Sequence, residues 1–293
     1  MSQAELESQG QVVVSSYYVR TRHVMALFAD LGPLYVDYYL HLMQNDIRHP
    51  PAQDGLLKDA LAAIALHLTS RPRDELTAWT VNLNDPVLNL FVTGDSRAGT
   101  ACGRLFTKDV KVGPSNLFFA QAKRPRLPDR QSTVSVSGTD LLSIVEQYYA
   151  QSEQLPARYF RLGGDGYAMF VAQPDHDPAW FSGLTTGDAV SMADVAAAAL
   201  PPGPPAVPDL AAEPVVVGWE GEELRFLEAR GFRFGCGCNL ELIHAVIAPM
   251  ARRDPDELFE GEDALTIQCP RCAGRFKVTR AGMRAWLEAN PSE

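Results

Sequence analysis

No run in this chain approaches the ~18 consecutive apolar residues that a membrane-spanning helix needs. Its first ten residues, Met1 to Gly10, are polar and acidic and lack the basic stretch and apolar core of a secretory leader. These absences set the expectation of a cytoplasmic protein with no membrane partner. Cysteine is scarce, 5 in 293 residues. In a reducing compartment such thiols favour metal or redox chemistry over a disulfide framework. Basic residues are outnumbered: 26 Lys and Arg against 36 Asp and Glu give a formal net charge of −10. That balance argues against general binding to nucleic-acid phosphates. Lys and Arg are missing altogether between Arg161 and Arg225. There is no Gly-x-Ser-x-Gly, no phosphate-binding loop and no dinucleotide fingerprint. No catalytic residue is assigned, and the chain is not expected to be an enzyme.

What the chain does have is a pattern in those few cysteines. Four of the five stand in two tight pairs, Cys236-Gly237-Cys238 and Cys269-Pro270-Arg271-Cys272, with residues 239 to 268 between them. Four thiolates from two short turns can close a tetrahedral shell around one Zn²⁺. The Cys-Pro-x-Cys-x-Gly run from Cys269 to Gly274 bends the backbone so that both sulfurs face one point and amide N–H groups can point at them. A Cys-x-Cys pair can chelate a metal, or close into a strained, easily reduced disulfide. The residues alone leave both a static staple and a switch open.

Hydrophobic residues make up 46% of the chain and charged residues 21%, ordinary values for a globular protein with a sizeable core. The patterning predicts an α+β fold. A strand followed by a helix is expected over 20–48, with Gly32-Pro33 interrupting the pattern. Residues 55–69 read as a helix with Leu57, Leu61, Ile64 and Leu68 on one face. Period-two alternation over 77–83 puts Trp79, Val81 and Leu83 on one side of a strand, and Asn84-Asp85-Pro86 turns the chain into a second strand over 87–92. A strand pair is expected at 100–107 and 131–137. A helix over 141–151, capped by Thr139 or Asp140, precedes strands at 157–162 and 166–173, with Gly163 to Gly166 as their hairpin turn. The tract Ala196 to Pro208 is rich in Ala and Pro and reads as an extended spacer. Three regions follow: a core domain of β-sheets with packed helices at 1–183, an acidic Pro/Ala-rich linker at 184–218 and a small zinc-binding domain at 219–293. The last should hold helices near 239–250 and 279–289 and a strand leading into Cys269.

These parts together resemble the heat-shock protein 33 family of redox-regulated holdase chaperones. The resemblance rests on the order Cys-x-Cys then Cys-x-x-Cys near the C-terminus and on the run Asp140 to Pro156, with its Tyr148-Tyr149 pair and Gln151-Ser-Glu-Gln-Leu-Pro156. The helix-then-strand order from 56 to 106, ending in Gly103-Arg-Leu-Phe106, adds to it. The likeness covers about 56–173 and 219–287. It implies one Zn²⁺ on Cys236, Cys238, Cys269 and Cys272 in the reduced state. On oxidation it implies disulfides Cys236–Cys238 and Cys269–Cys272, zinc release and unfolding of the zinc domain and linker. Unfolding client proteins are then captured without ATP, by a homodimer. The family's linker is mostly a marginally stable helical segment, whereas this one is Ala/Pro-rich. The residues support the zinc independently, because a segment of about 60 residues with few large apolar side chains is too small to be stabilised by its core alone. Structural Zn²⁺ supplies roughly 10–16 kcal/mol of apparent binding energy that doubles as folding energy. Arg233, Arg271, Arg275 and Lys277 lie near the thiolates in sequence and would favour their anionic form.

Other features carry plainer readings. Cys102 reads as a small buried hydrophobe, His244 as a helix residue, and Asp175-His176-Asp177 as a solvated turn rather than a metal cluster. Lys108, Lys111, Lys123, Arg124, Arg126 and Arg130 flank Phe118 and Phe119, a composition that can bind single-stranded nucleic acid. With Pro114, Pro125 and Pro128 among them, the stretch is expected to be a charged surface loop. Two alternatives to the oxidation-activated holdase are a constitutive chaperone or binding module with a purely structural zinc, and a nucleic-acid-binding zinc protein.

Overall fold

The computed structural model describes residues 11–199 and 215–291. Its chain divides into two compact units, residues 1–40 with 49–235 and residues 41–48 with 236–293. The tract 200–214, which holds most of the expected spacer, lies outside the described residues, as do residues 1–10.

The first unit is built on a sheet of 11 strands. In chain order they are β1 (Val12–Val19), β2 (Val24–Asp30), β3 (Leu76–Asn84), β4 (Val87–Asp95), β5 (Thr100–Phe106), β6 (Asn116–Lys123), β7 (Arg130–Val136), β8 (Ala157–Gly163), β9 (Gly166–Ala172), β10 (Val216–Trp219) and β11 (Glu222–Phe234). They are ordered β7-β6-β3-β4-β5-β11-β1-β2-β9-β8, with β10 pairing with β11. Neighbours run antiparallel, except that β11 meets β5 in parallel at Arg233↔Thr100 and Phe234↔Ala101.

The expected alternation in β3 holds: Trp79, Val81 and Leu83 are buried between half-exposed neighbours. Those side chains face helix α2 (Pro51–Thr69), which follows helix α1 (Gly32–Gln44). Gly32-Pro33 begins α1 rather than interrupting it, because a proline in the first helical turn lacks only an N–H that has no intrahelical partner. In α2 the expected stripe Leu57, Leu61, Ile64 and Leu68 is fully buried, and burial extends around the helix to Asp59 and His67. Each of those polar groups is satisfied. Asp59 accepts from Arg161 (3.1 and 2.7 Å) and from Tyr167 Oη (2.9 Å), and His67 Nδ1 lies 2.6 Å from Tyr149 Oη. The close approach of α2 depends on two strand glycines. A Cβ on Gly94 would stand 2.4 Å from Leu68 Cδ1, and one on Gly103 2.9 Å from Leu57 Cδ1.

Helix α3 (Leu141–Tyr148) is capped by Asp140, which accepts from Ser143 N–H, and passes at Tyr149–Glu153 into a single π-helical turn. Gly163 pairs with Gly166 in the β8–β9 hairpin. Asp177 begins the short helix α4 (Pro178–Gly183) by accepting from Ala179 and Trp180 N–H, and it also pairs with Arg22, so the Asp-His-Asp motif is a turn and a cap. Cys102 is a buried strand residue.

Four further expectations differ from the structure. Strands 100–107 and 131–137 do not pair with each other: β5 pairs with β4, and β7 with β6. The strand between them, β6, falls inside the stretch expected to be a loop. Its Phe118 and Ala120 point inward, and the basic residues that mask this pattern lie at its ends. Residues 219–235, grouped by sequence with the cysteines, form most of the β10–β11 hairpin in the large sheet, and Phe232 and Leu224 are fully buried there. Finally, residues 184–199 of the expected linker contain helix α5 (Thr186–Ala199). A reciprocal cap starts it, Thr185 N–H to Asp188 Oδ2 (2.8 Å) and Asp188 N–H to Thr185 Oγ1 (3.2 Å). Absence of Lys and Arg reads as a linker, yet Ala189, Met192 and Ala196 give this segment one buried face.

The second unit holds helix α6 (Leu240–Arg253), the short helix α7 (Pro255–Phe259) in the acidic stretch, strands β12 (Ala264–Gln268) and β13 (Arg275–Thr279), and helix α8 (Arg280–Ala289). Asn239 caps α6 by accepting from Leu242 N–H, and Thr279 caps α8 by accepting from Gly282 N–H. Its core is small: Ile243, Ile247, Ala248, Ala251, Phe259, Val278 and Met283. His244 is a buried helix residue, as expected.

Candidate metal centre

Two turns of the second unit bring the four C-terminal cysteines together. Their sulfurs all lie within 4.8 Å of one another. Cys236 Sγ is 3.6 Å from Cys269 Sγ, and Cys238 Sγ is 3.5 Å from Cys272 Sγ. Four sulfurs at about 2.3 Å from a tetrahedral ion stand about 3.8 Å apart, so this cluster could hold a metal ion. None of the five cysteines forms a disulfide.

The second pair is shaped by its local sequence. Strand β12 delivers Cys269, whose N–H donates to Gly274 O (2.8 Å), while Ala273 N–H returns to Cys269 O (3.0 Å). Amides of the same turn point at the sulfurs, Arg271 N–H at Cys269 Sγ and Gly274 N–H at Cys272 Sγ, both at 3.4 Å. Ala273 takes a left-handed backbone conformation (φ +60°), and so does Gly237 (φ +67°) between the first two cysteines. Gly274 is needed for space as well, since a Cβ there would stand 3.3 Å from both Cys272 Sγ and His41 Cε1.

Burial and crowding set the electrostatics. Burial and then the neighbouring Cys236 push the Cys238 thiol up to about 12. The Cys272 thiol is also pushed up, first by its hydrogen bond with Cys236 and then by burial. Cys238 and Cys272 thus resist ionisation when no metal is bound, and a dication among the sulfurs would reverse that balance by favouring thiolates. Cys269 and Cys272 are buried, whereas Cys236 and Cys238 are partly exposed, leaving the first pair the more open to a small reagent.

The basic residues expected to bias the sulfurs act elsewhere. Arg271 reaches the Cys236 carbonyl (Nη1 to O, 3.4 Å), and Arg275 donates from its backbone to Asn45 Oδ1 (2.7 Å) and from its side chain to Asp46 O (3.3 Å). Lys277 is exposed on β13, and Arg233 belongs to β11. Sequence reasoning missed His41, whose Nε2 lies 2.9 Å from the Cys272 carbonyl and supports the turn that carries that cysteine. A histidine separated from its partner by 231 residues leaves no spacing signal.

The basic stretch at 108–130 does not form one surface. Lys108 and Lys111 precede β6, and Lys123, Arg124, Arg126 and Arg130 gather at its other end, about 25 Å away for an eight-residue strand. Phe118 is fully buried and Phe119 faces the opposite side of the sheet, so no aromatic row accompanies the basic groups.

A mixed sheet unit followed by a small unit with four converging thiols defines a two-part thiol-centre protein. A model of the Hsp33 protein family matches residues 19–279. The chain belongs to that family. It is 22% identical over 263 residues to a 33 kDa chaperonin of Edwardsiella ictaluri, covering 84% of this chain and 86% of that one. It is 26% identical over 273 residues to a 33 kDa chaperonin of Azotobacter vinelandii, covering 85% and 86%. The fold matches the crystal structure of a 33 kDa chaperonin (heat shock protein 33 homologue) from Thermotoga maritima with a TM-score of 0.64. That match covers 94% of this chain and 98% of the other at 14% identity. Among the described residues, no helix is long and apolar enough to cross a membrane.

Proposed function

We propose that this chain is an oxidation-activated, ATP-independent holdase chaperone of the cytoplasm, not an enzyme, which captures unfolding proteins and pairs with a second copy once oxidised. The observation that carries the reading is the convergence of four sulfurs from two separate turns in a unit whose own core is seven buried side chains. Cys236, Cys238, Cys269 and Cys272 would hold one Zn²⁺. When bound, the ion gathers four thiolates and lends the unit its folding energy.

Oxidation removes what the ion binds. Each cysteine pair loses two electrons and forms one S–S bond, while a hypochlorous acid molecule takes up those electrons and a proton to become chloride and water. Disulfides Cys236–Cys238 and Cys269–Cys272 follow the family's pairing. The cross-turn sulfurs are also close, at 3.6 and 3.5 Å. Without a shared ion, however, the two turns lose the link among their sulfurs and keep the contact from Arg271 Nη1 to Cys236 O (3.4 Å), whereas one or two intervening residues hold each pair together. The small unit then unfolds.

Helix α5 covers the surface that would receive clients. Its buried face consists of Ala189, Met192 and Ala196, packed into a cluster with Tyr17, Phe28, Phe170, Trp219 and Leu224. One methionine is the only large side chain in that face, and full burial of such a side chain contributes only about 1.5–3 kcal/mol. The sheet beneath is aromatic. A weakly held helix over a strongly apolar sheet is the arrangement a releasable cover requires. Among the described residues, two polar contacts from the sheet reach it, Trp219 Nε1–H to Ser191 Oγ (3.0 Å) and Tyr17 Oη–H to Ala196 O (3.1 Å), and Arg158 Nη1–H holds the preceding turn at Leu184 O (2.6 Å).

The test is light scattering from a thermally unfolding client, with this protein either zinc-loaded and reduced or pre-treated with hypochlorite. Suppression only after oxidation is expected, and Cys236→Ser with Cys238→Ser should abolish the response. Equal suppression in both states would instead identify a constitutive chaperone with a structural zinc.

A further inference from the structure

The end of the β6–β7 hairpin carries a site unrelated to the thiols. A cavity of about 450 Å³ opens there, walled by Arg71, Glu75, Arg124, Leu127, Pro128 and Arg130, with Pro72 and Ala122 completing it. Three of the charges in its wall are positive and one, Glu75, is negative. Asp74 and Glu153, which pair with Arg124 and Arg71, are not in the wall. Leu127, Pro72 and Pro128 give it an apolar side.

The three arginines are incompletely used. Arg124 spends Nε on Asp74 (2.9 Å), and Arg130 spends Nη2 on Glu75 (3.2 Å). Among the described residues, both terminal nitrogens of Arg124, and Nε and Nη1 of Arg130, have no protein partner. Arg71 Nε is fully buried with no hydrogen bond, 3.6 Å from Glu75 Oε1. Guanidinium groups can only donate, so Arg124 and Arg130 bring N–H groups with no acceptor to the wall of a cavity of ligand size, while Arg71 adds its charge. The floor is fixed rather than mobile, since Glu75 is 1% exposed and also accepts from Thr77 Oγ1 (3.2 Å). A second cavity of about 420 Å³ shares Ala122 and Arg130 and is walled by the buried His67, Thr77 and Tyr148.

We propose that this cavity is a binding site for a small organic anion, a phosphate or carboxylate attached to an apolar ring or chain. The anionic group engages the free N–H groups of Arg124 and Arg130 in the field of Arg71, and the apolar body lies against Leu127, Pro72 and Pro128. Unlike a diffuse basic patch, such a site requires charge and an apolar body in one ligand, and it requires Arg124 but not its neighbour Arg126, which is exposed and outside the wall.

The experiment is calorimetric titration of the full-length, reduced, metal-loaded protein with phenyl phosphate, phthalate and inorganic phosphate in turn. Binding of phenyl phosphate or phthalate, but not of inorganic phosphate, is expected, and the tighter of the two names the anionic group. Arg124→Gln should weaken binding by about tenfold or more, the loss of a charge-assisted hydrogen bond, and Arg126→Gln should leave it unchanged. Arg124→Lys keeps the charge without the fork and should also weaken it, which covers the case in which the glutamine variant folds poorly. No saturable binding of either ring-bearing probe, or equal losses in the Arg124 and Arg126 variants, would overturn the proposal.

Discussion

The two units are stabilised in opposite ways. The first buries Trp79, Tyr17, Tyr35, Tyr38 and Phe118 at 2% exposure or less, together with a helix buried around most of its circumference. The second offers a two-stranded sheet and seven buried core residues, of which Phe259 is the one aromatic, and its Trp286 is only partly buried. Apolar burial scales with size, so a unit of this length sits near the limit at which a core alone suffices. Under the proposed function its four sulfurs would be structural as well as chemical. The difference teaches where the proposed switch would act: a chemical event at the thiols would unfold the unit with the small core and leave the unit with the large core folded.

The largest effect is expected from removing the metal. Chelation under reducing conditions should abolish amide-exchange protection across α6, β12, β13 and α8 while β1 to β9 stay protected. The scale of that loss is set by the roughly 10–16 kcal/mol typical of structural Zn²⁺. Protection that survives chelation in both units would break the comparison, because the second core would then be sufficient. A smaller effect should follow from Trp79→Ala, which opens a void beneath α2 beside Phe118 and His67 and should cost about 3–5 kcal/mol in thermal or denaturant unfolding of the first unit. Metal content per chain should not change. If it falls with the tryptophan, the units are not independently stabilised.

The smallest effect is a pH dependence confined to the first unit. Burial, and then Arg71 and Arg130, hold His67 well below its usual value. The ring is therefore neutral, and its 3.9 Å approach to Glu75 is a contact rather than an ion pair. Its proton affinity is lower folded than unfolded, so the stability it confers is complete above pH 6.5 and is lost as the pH falls toward the folded value. Unfolding midpoints of the first unit should decline below pH 6.5, and His67→Gln should flatten that decline. A decline of equal steepness in the variant would assign the acid sensitivity to other groups.

Legibility differed from element to element. The helix at α2, the β3–β4 hairpin, the Asp140 cap and the β8–β9 turn follow from periodicity and turn residues and were open to reading. Strand β6 was hidden because its flanks are basic and its inward positions are only Phe118 and Ala120. Helix α5 had its signal in Thr185-x-x-Asp188, but the run without Lys or Arg outweighed it. The assignment of 219–235 failed for a different reason. Besides its hairpin mate β10, the partners of β11 are β1 and β5, more than 100 residues earlier in the chain, and no local pattern names them.

Composition and spacing by themselves determined the four thiols, the Cys-Pro-x-Cys-x-Gly turn, the family resemblance and the shortage of apolar residues around the cysteines, because each depends on residues within a few positions of one another. Tertiary structure alone decided that β11 joins the large sheet, that His41 supports the turn at Cys272, that α5 has an aromatic sheet beneath it and that three arginines, Arg71 from the turn after α2 and Arg124 and Arg130 from the β6–β7 hairpin, share one cavity. Each of those unites residues far apart in the chain, and only the packed sheet sets the distances between them.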